Sequence, residues 1–366
     1  MTALDAAELD AWLRLLLAEG VGRGTARRLL AAFGGAREVL AAPSATRRQV
    51  GGAAAERLDS PSADLDVRLA AAKAWLAGGT QRALWTLGDP LYPGLLLQTA
   101  DPPLALFAEG DPAWLQRPML AIVGSRHATA QGLDNARAFA HSFSDAGWVV
   151  VSGLAAGIDG AAHEGALAGA CGTVAVIGTG PDQDYPARHR ALATRIRAQG
   201  LILSEYPPGT PPLGAHFPQR NRIIAGLARG TLVVEAAVQS GSLITARMAL
   251  EAGREVFAIP GSIHAPQARG CHALIRQGAK LVESANDVLE ELQAPAQASL
   301  PLSAPDDDPP ADPLLDALGH DPVTLDALGA RTGWSAADLN VKLLELELDG
   351  RVARLPGGLF QRRAGV

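Results

Sequence analysis

The chain of 366 residues is 48% hydrophobic and 19% charged, which is enough for a large buried core and for more than one domain. Its formal net charge of −6 argues against a surface coated by nucleic acid, although local patches decide where an anion binds. No apolar run approaches the roughly 20 residues of a membrane span, and the acidic N-terminus is unlike a signal peptide, so we expect a cytoplasmic protein.

The first 80 residues are rich in alanine and predict a small helical domain. Within it, Leu15–Gly35 reads "LLLAEGVGRGTARRLLAAFGG", two helical stretches around a Gly-Val-Gly turn. This pattern is typical of a helix-hairpin-helix or a SAM-like domain, whose tight turn can expose N–H groups to DNA phosphate. Many such hairpins are purely structural, so the sequence leaves DNA contact at this hairpin open.

Residues 81–293 alternate short apolar stretches with helical ones, which predicts an extended Rossmann-like α/β core, a parallel or mixed sheet with helices on both faces. Strands are expected at "ALWTL", "LALFAEG", "MLAIVGS", "WVVVSG", "TVAVIG", "LILSEY", "TLVVEA", "EVFAIPG" and "KLVES". Several of them end in glycine or serine just before a helix. Ligands of such folds bind at the carboxyl ends of strands, so we expect a site there.

The first strand-end motif places Gly124, Ser125 and Arg126 directly after a buried strand. Glycine lets the backbone approach a ligand closely, serine offers a hydroxyl, and the fork of arginine donors suits a phosphate. A tight strand–helix turn with a surface arginine would have the same residues. This motif alone leaves both interpretations open.

The second motif, "SGLAAGID", contains Ser152, Gly153 and Gly157 in a GxxxGxxG spacing. This spacing differs from the GxGxxG of dinucleotide sites, and no acidic residue ends the next strand to hold a ribose, so NAD binding is not expected. The sequence also lacks the GxxxxGK[ST] loop of P-loop NTPases. Asp159 and His163 stand four residues apart, and we interpret them as a first-turn carboxylate near an exposed imidazole, not as an acid–base pair.

The third motif, "FPQRNRIIAG", puts Arg220, Asn221 and Arg222 near a helix start, in a stretch from residue 206 to 234 without Asp or Glu. Cations at a helix N-terminus oppose its dipole at a cost of a few tenths to about 1 kcal/mol each, which a bound anion would reverse. Helical periodicity predicts that Arg220 points nearer the apolar side of this helix and Arg222 to the opposite side.

The fourth motif opens a helix with Ser240, Gly241 and Ser242 after a strand, and Thr245 follows one turn later. Capping of the helix by either serine is the simple alternative, and it does not exclude anion binding. With three Gly/Ser turns and two arginines at one sheet edge, the motifs together favour a site for a polyanion.

Residues 294–312 are rich in Pro, Ala and Asp and predict a disordered linker, and residues 313–366 predict a winged helix. The recognition helix of this unit has a single lysine, Lys342, among several acidic residues. The acidic residues are Asp338, Glu345, Glu347 and Asp349. A helix meant for a DNA groove should be basic, so we expect a protein-interaction or weak accessory module.

The ordered motifs "VGSR", "SGLAAGID", "FPQRNRIIAGL", "GSLITA", "IPGS" and "GCHALIRQGA" resemble those of the DNA-processing protein A family, DprA or Smf. The resemblance covers essentially the whole chain, and the central motifs are its specific part. It implies a homodimer that binds single-stranded DNA without cleaving it, protects incoming strands during natural transformation and loads the RecA recombinase. It also implies that the core uses no nucleotide cofactor.

The resemblance also implies which residues line the DNA groove. They are Ser125, Arg126, Ser152, Gly153, Arg220, Asn221, Arg222, Ser240, Gly241 and Ser242, to which we add Gly124, Gly157 and Thr245. One departure is visible, because the family usually has Gly-x-Asn-x-Leu-Ile where this chain has Cys271 and His272 after the glycine. A contact made by that asparagine is therefore not carried over. Neither cysteine of the chain, Cys171 or Cys271, has the spacing of a zinc site or a disulfide framework, so we expect free buried thiols.

An enzyme is the alternative to a binding protein. The lysine-decarboxylase-like phosphoribohydrolases resemble this architecture and carry a PGGxGTxxE signature in which the glutamate does the chemistry. Aligning "SGSLITARM" with that signature puts Met248 in place of the glutamate, which removes the acid–base group. A third possibility is a core that serves only as an oligomerisation scaffold. Only 4% of residues are aromatic, so for the binding protein we expect little base stacking.

Overall fold

The N-terminal helices share one apolar core in the computed structural model, which describes residues 4–293, 312–319, 321–355 and 358–363. Asp5 caps the first helix by accepting the Glu8 N–H at 2.8 Å. The rings of Trp75 and Phe107 meet edge-on with centroids 6.0 Å apart, so this core continues into the central sheet. The helices are α1 Ala6–Leu17, α2 Arg23–Phe33, α3 Ala36–Ala41, α4 Ser44–Gly51 and α5 Leu65–Ala77, with a 3₁₀ helix at Ala53–Asp59.

Every strand that the sequence predicts for the core is present, although most end earlier than the quoted stretches. The strands are β1 Arg82–Thr86, β2 Ala105–Gly110, β3 Met119–Val123, β4 Val149–Ser152, β5 Thr173–Ile177, β6 Leu201–Ser204, β7 Gly230–Val233, β8 Glu255–Ala258 and β9 Lys280–Leu281. They form one sheet in the order β1-β2-β6-β5-β4-β3-β7-β8-β9. Neighbours from β6 to β9 are parallel, whereas β1 pairs antiparallel with β2, and β2 with β6.

The sheet is therefore mixed, which is one of the two forms, parallel or mixed, that the sequence predicts. A parallel pair needs a crossover of a dozen or more residues, usually a helix. Within the described segment 87–104, between β1 and β2, the chain forms only the short helix α6, Gly94–Leu97. This helix is too short for such a crossover, in agreement with the antiparallel pairing of β1 and β2.

Helices cover both faces of the parallel part, so strands β3 and β5 are buried along their whole length. This explains why these strands are continuous apolar runs and not alternating ones. The covering helices are α7 Ala130–Asp145, α8 Ile158–Ala166, α9 Arg190–Gln199, α10 His216–Leu227, α11 Gly241–Glu251, α12 Arg269–Arg276 and α13 Ala285–Gln293, with 3₁₀ helices at Pro112–Gln116 and Ala187–His189.

The strand order reverses between β3 and β7. After β3 the chain adds β4, β5 and β6 on one side, and it then returns to add β7, β8 and β9 on the other. A crevice forms at such a switch point, outside the carboxyl ends of the two strands. The turns after β3, β4 and β7 and the first turns of α10 all meet there.

The C-terminal unit is a winged helix, as predicted. It comprises α14 Pro313–Leu318, β10 Val323–Thr324, α15 Leu325–Thr332, α16 Ala336–Leu348, β11 Val352–Leu355 and β12 Leu359–Arg362. Strand β12 pairs with both β10 and β11, and leucines of the helices pack against Phe360. The predicted linker, residues 294–312, lies outside the described residues except for Asp312, whose side chain caps α14. Across the described segments, no helix combines the length and apolar character needed to span a bilayer.

Candidate nucleic-acid interface

A groove lies at the switch point between β3 and β7. It has a cavity of about 420 Å³ that continues into a second hollow of about 230 Å³, and both share Arg126, His127, Phe217 and Arg220. We call the two hollows together the groove. The expected site residues in its wall are Gly124, Ser125, Arg126, Gly153, Arg220, Asn221, Ser240, Gly241, Ser242 and Thr245.

The turn after β3 presents an exposed cation, Arg126. Its guanidinium lies over the ring of Phe217, 5.6 Å from the centroid. The strand must end in glycine here, because a Cβ at Gly124 would lie 2.6 Å from the side chain of Ile158. The hydroxyl of Ser125 accepts the backbone N–H of His127 at 3.1 Å, which tightens the turn. Arg126 is thus held at the groove wall with its charge open to solvent.

The turn after β4 packs directly on the turn after β3. Gly157 has a φ of +79°, and a Cβ there would collide with the carbonyl oxygen of Ser125. The Ile158 N–H donates to that same oxygen at 3.1 Å. Ser152 is fully buried and donates to the Ile122 carbonyl at 2.6 Å, tying β4 to β3. Ser152 and Gly157 therefore support the groove by holding the turns after β3 and β4 against each other.

Arg220 is a buried cation beneath the groove, with 4% of its surface exposed. It donates to the carbonyl oxygens of Gly153 and Val176, and a Cβ on Gly153 would collide with its guanidinium. The carboxylate of Asp159 accepts the N–H of Gly153 at 3.1 Å. Asp159 and Arg220 thus hold the Gly153 backbone from its N–H and C=O sides.

The electrostatics of this pair favour an added anion. Burial lowers the pKa of Arg220 to about 10; Asp159 opposes this shift and the nearby Arg126 cation adds to it. Burial also raises the pKa of the Asp159 carboxyl, against the charges of Arg220 and Arg126. Arg220 remains protonated at neutral pH beside a second guanidinium. A phosphate in the groove would offset the repulsion between the two cations.

The third wall is the start of α11. Ser240 is its N-cap, and its hydroxyl lies 2.7 Å from the hydroxyl of Ser242. A Cβ on Gly241 would meet no atom within 4 Å, so this helix start is open to a ligand. Thr245 lies one turn further in and is buried, and Asn221 donates to the Gly241 carbonyl at 3.3 Å. The partial positive charge of the helix N-terminus therefore adds to that of the arginines.

Arg222 points away from the groove. It donates to Asp101 at 3.0 Å and to Glu205 at 2.5 Å, and its side chain is 13% exposed. From α2, Arg23 binds Glu205 at 2.9 Å and Arg27 binds Asp101 at 2.6 Å. We call these five residues the ion-pair cluster. Arg220 and Arg222 point to opposite sides of the helix, as predicted. The anions that hold Arg222 are carboxylates of the chain itself. A DNA contact by Arg222 therefore stays a prediction without support from this geometry.

The ion-pair cluster also fixes the predicted hairpin of α1 and α2. Burial raises the pKa of the Asp101 carboxyl, but hydrogen bonds and charges from Arg27, Arg222 and Arg23 outweigh burial and hold this pKa below its usual value. Two arginines of α2 are thereby directed to the core, whereas Arg28 is exposed. DNA contact by the hairpin stays an open prediction.

Comparisons with known proteins agree with this architecture. The family model of the DNA recombination-mediator protein A matches residues 83–293, and the model of the DprA winged helix domain matches residues 295–358. The chain belongs to the DNA recombination-mediator protein A family. Protein Smf of Escherichia coli (strain K12) is 44% identical over 281 residues, which cover 74% of this chain and 75% of that protein. DNA processing protein DprA of Streptococcus pneumoniae is 50% identical over 205 residues, 56% of this chain and 72% of that protein.

Solved structures of DprA proteins share the fold. The X-ray structure of DprA from Streptococcus pneumoniae has a TM-score of 0.69 and 39% identity, covering 77% of this chain and 97% of that one. DprA from Helicobacter pylori, whose structure is described in terms of its single-stranded DNA binding mode, has a TM-score of 0.51 and 30% identity over 55% of this chain and 92% of that one.

The structure also shows what surrounds His272 and the two cysteines. His272, at the position where the family pattern has asparagine, places its Nε2 atom 2.9 Å from the Gly261 carbonyl oxygen of the "IPGS" motif. Cys171 and Cys271 are free and buried, as expected. Burial raises the pKa of the Cys271 thiol to about 12, so this thiol is inert at neutral pH.

The prediction that His163 has an exposed imidazole is wrong. The side chain is fully buried, its Nε2 atom accepts the Leu154 N–H at 3.3 Å, and its Nδ1 atom lies 2.8 Å from the Thr173 hydroxyl. Thr173 donates onward to the Val150 carbonyl at 2.6 Å. These bonds hold the turn after β4 to the sheet. The spacing of Asp159 and His163 indicated one helix face correctly, but not that this face packs inward.

We expect His163 to make the protein sensitive to acid. Burial lowers its pKa to about 3, whereas an unfolded histidine titrates near 6.5. The unfolded chain therefore binds a proton that the folded chain does not, and stability falls as the pH drops through 6.5. Between pH 7 and pH 5 the loss is about 2 kcal/mol. Urea unfolding should show this component in the wild type and not in His163→Gln, while the exposed His264→Gln control retains it. Equal pH dependence in wild type and His163→Gln would contradict this assignment.

Some residues of the groove were not predicted from the sequence motifs. Phe217, His127 and Gln239 all line it. Phe217 was within the quoted DprA motif, and an aromatic residue beside a helix-opening proline was a usable signal. His127 and Gln239 lie in irregular turns, where no periodicity indicates which way a side chain points.

Proposed function

We propose that the chain is a recombination mediator that binds single-stranded DNA along the groove without cleaving it. The observation that supports this most is the convergence of the exposed Arg126, the buried Arg220 and the open N-terminus of α11 at one switch point. Each is a phosphate-binding device, and none requires a particular base. The family membership and the DNA-binding relative agree with this use.

The finer parts of the proposal follow from the family resemblance. We propose that the protein acts in the cytoplasm as a homodimer through its core, protects incoming strands during natural transformation and loads RecA onto them. Light scattering of the full chain tests the dimer, and RecA filament formation on DNA coated by a single-strand binding protein tests the loading.

Titration of a fluorescent oligo-dT by the full-length protein should reveal salt-dependent binding. Each neutralised phosphate contributes a slope of about −0.7 in log K against log salt, so two or three contacts predict a slope of about −1.4 to −2.1. Because we propose that the groove holds a single strand by its phosphates, a duplex of the same length should bind more weakly. Salt-independent binding, or equal affinity for duplex, would refute the proposal.

The hydrolase alternative gains no support from the groove. Met248, at the place of the catalytic glutamate, is partly buried and packs against the apolar core. Asp159 is engaged by backbone N–H groups and lies beside Arg220. We therefore propose a binding protein and not an enzyme, and expect no free base from nucleoside monophosphates incubated with it.

A further inference from the structure

Helix α16 of the winged helix carries an apolar stripe on its solvent side. Val341, Leu344 and Leu348 are 62%, 57% and 81% exposed. Their spacing of three and four residues places them on one helix face. The opposite face packs into the domain core through Leu339, Leu343 and Leu346.

An exposed tryptophan lies just before the start of the helix that carries this stripe. Trp334 is 40% exposed and directly precedes Ser335, the N-cap of α16. A single exposed leucine is ordinary on a protein surface, but several large apolar side chains exposed on one helix face mark an interaction surface. Tryptophan is also the residue type most enriched among the energetic centres of interfaces. We call Trp334, Val341, Leu344 and Leu348 the α16 stripe.

The charges beside the α16 stripe indicate what can bind it. Residues 336–349 contain four carboxylates and one lysine, a net charge of −3. Helical spacing places Asp338, Glu345 and Asp349 along one border of the stripe, and Glu347 lies on the other side. Lys342 pairs with Glu345 at 3.0 Å, which leaves the stripe with an acidic border. An apolar row with acidic borders is complementary to a cationic amphipathic partner.

Other occupants conflict with this charge. A DNA backbone would meet carboxylates, and a second copy of α16 would place like charges against each other. The segment 294–311 of the same chain contains Asp306, Asp307 and Asp308 and no Lys or Arg, so its charge has the wrong sign.

We propose that the α16 stripe docks a cationic amphipathic helix of a partner protein. The partner segment would carry apolar side chains at helical spacing of three, four and seven residues, bordered by Lys or Arg. The proposal does not depend on DNA binding in the groove, because none of its residues belongs to the groove. It gives the acidic winged helix a defined binding face and a defined class of ligand.

A synthetic peptide tests the proposal on the full-length protein. The probe is a fluorescent leucine–lysine peptide of about 18 residues, roughly five helical turns, with its leucines on one face. We expect anisotropy to show binding that is about ten-fold tighter than that of a scrambled peptide of the same composition, because only the ordered leucines can be buried together. The double variant Leu344→Ser/Leu348→Ser should lose about ten-fold in affinity for the same reason.

Matched variants separate this docking from general effects. Val67→Ser/Leu97→Ser changes two other exposed apolar residues, 71% and 53% exposed, and should leave peptide binding unchanged. Glu345→Gln/Asp349→Asn should weaken binding and flatten its salt dependence. Circular dichroism should show the wild-type melting temperature for all variants, because the side chains are exposed. Equal binding of the scrambled peptide, unchanged binding by the stripe variant, or a stripe variant that instead loses self-association or duplex binding would each overturn the proposal.

Discussion

Replacing Arg220 with alanine is expected to lower the free energy of unfolding by about 3–5 kcal/mol and to abolish tight binding of single-stranded DNA. The buried guanidinium donates to the carbonyl oxygens of Gly153 and Val176. Without it, two carbonyl groups lose a partner at about 1–3 kcal/mol each, and the buried Asp159 loses the positive charge that favours its ionised form. DNA binding is lost because the turn after β4 no longer holds its shape and the groove loses one positive charge.

Urea unfolding and oligo-dT anisotropy measure the two parts of this prediction. Arg220→Lys should be intermediate, because one ammonium keeps the charge but lacks the planar fork that reaches both carbonyls. Asp159→Asn removes the opposing charge with little change of shape. In a double-mutant cycle, Arg220→Ala and Asp159→Asn should couple by about 1 kcal/mol or more, since the two groups share the Gly153 backbone. Wild-type stability of Arg220→Ala would show that the bonds to Gly153 and Val176 contribute nothing.

The inward position of Arg220 was predictable, because helical periodicity depends only on neighbours in sequence. Local sequence patterns likewise predicted the strands of the core and the Gly/Ser turns that follow β3, β4 and β7. Gly153 illustrates their limit. Its position at a strand end indicated a close approach of some group to the backbone, and in the fold the guanidinium of Arg220 occupies the place that a Cβ on Gly153 would take.

Features that depend on distant partners were not predictable from local patterns. Arg222 lacks an acidic neighbour in sequence, yet it binds Asp101, 121 residues away, and Glu205 across the fold. The Nδ1 atom of His163 finds its partner in Thr173, which comes from the next strand. The antiparallel direction of β1 likewise depends on which edge of the sheet it joins. In each case the deciding group comes from another element, and one sequence does not show that contact.

Arg126→Ala should weaken single-stranded DNA binding by about 10- to 100-fold at low salt while leaving stability unchanged. The side chain is exposed and contacts the Phe217 ring, so its removal leaves no buried group unpaired. A charge-assisted hydrogen bond to a phosphate contributes about 1.5–3 kcal/mol, which corresponds to this range. The slope of log K against log salt should become shallower by about 0.7, because one phosphate is no longer neutralised. Arg126→Lys should restore the slope but only part of the affinity.

Two other arginines make this result specific to the groove. Arg229 is also exposed and also lies over an aromatic ring, 5.8 Å from the centroid of Trp148. It follows the C-terminal end of α10, whereas the groove lies at the N-terminal end. Arg229→Ala should therefore bind DNA like the wild type. Arg222→Ala should cost stability, about 2–4 kcal/mol from broken and partly buried ion pairs, and should keep the wild-type salt slope. If Arg222→Ala flattens the slope and Arg126→Ala does not, DNA follows the ion-pair cluster and not the groove. The salt slope distinguishes these cases because it counts phosphates, whereas a loss of affinity alone would also follow from a displaced α10.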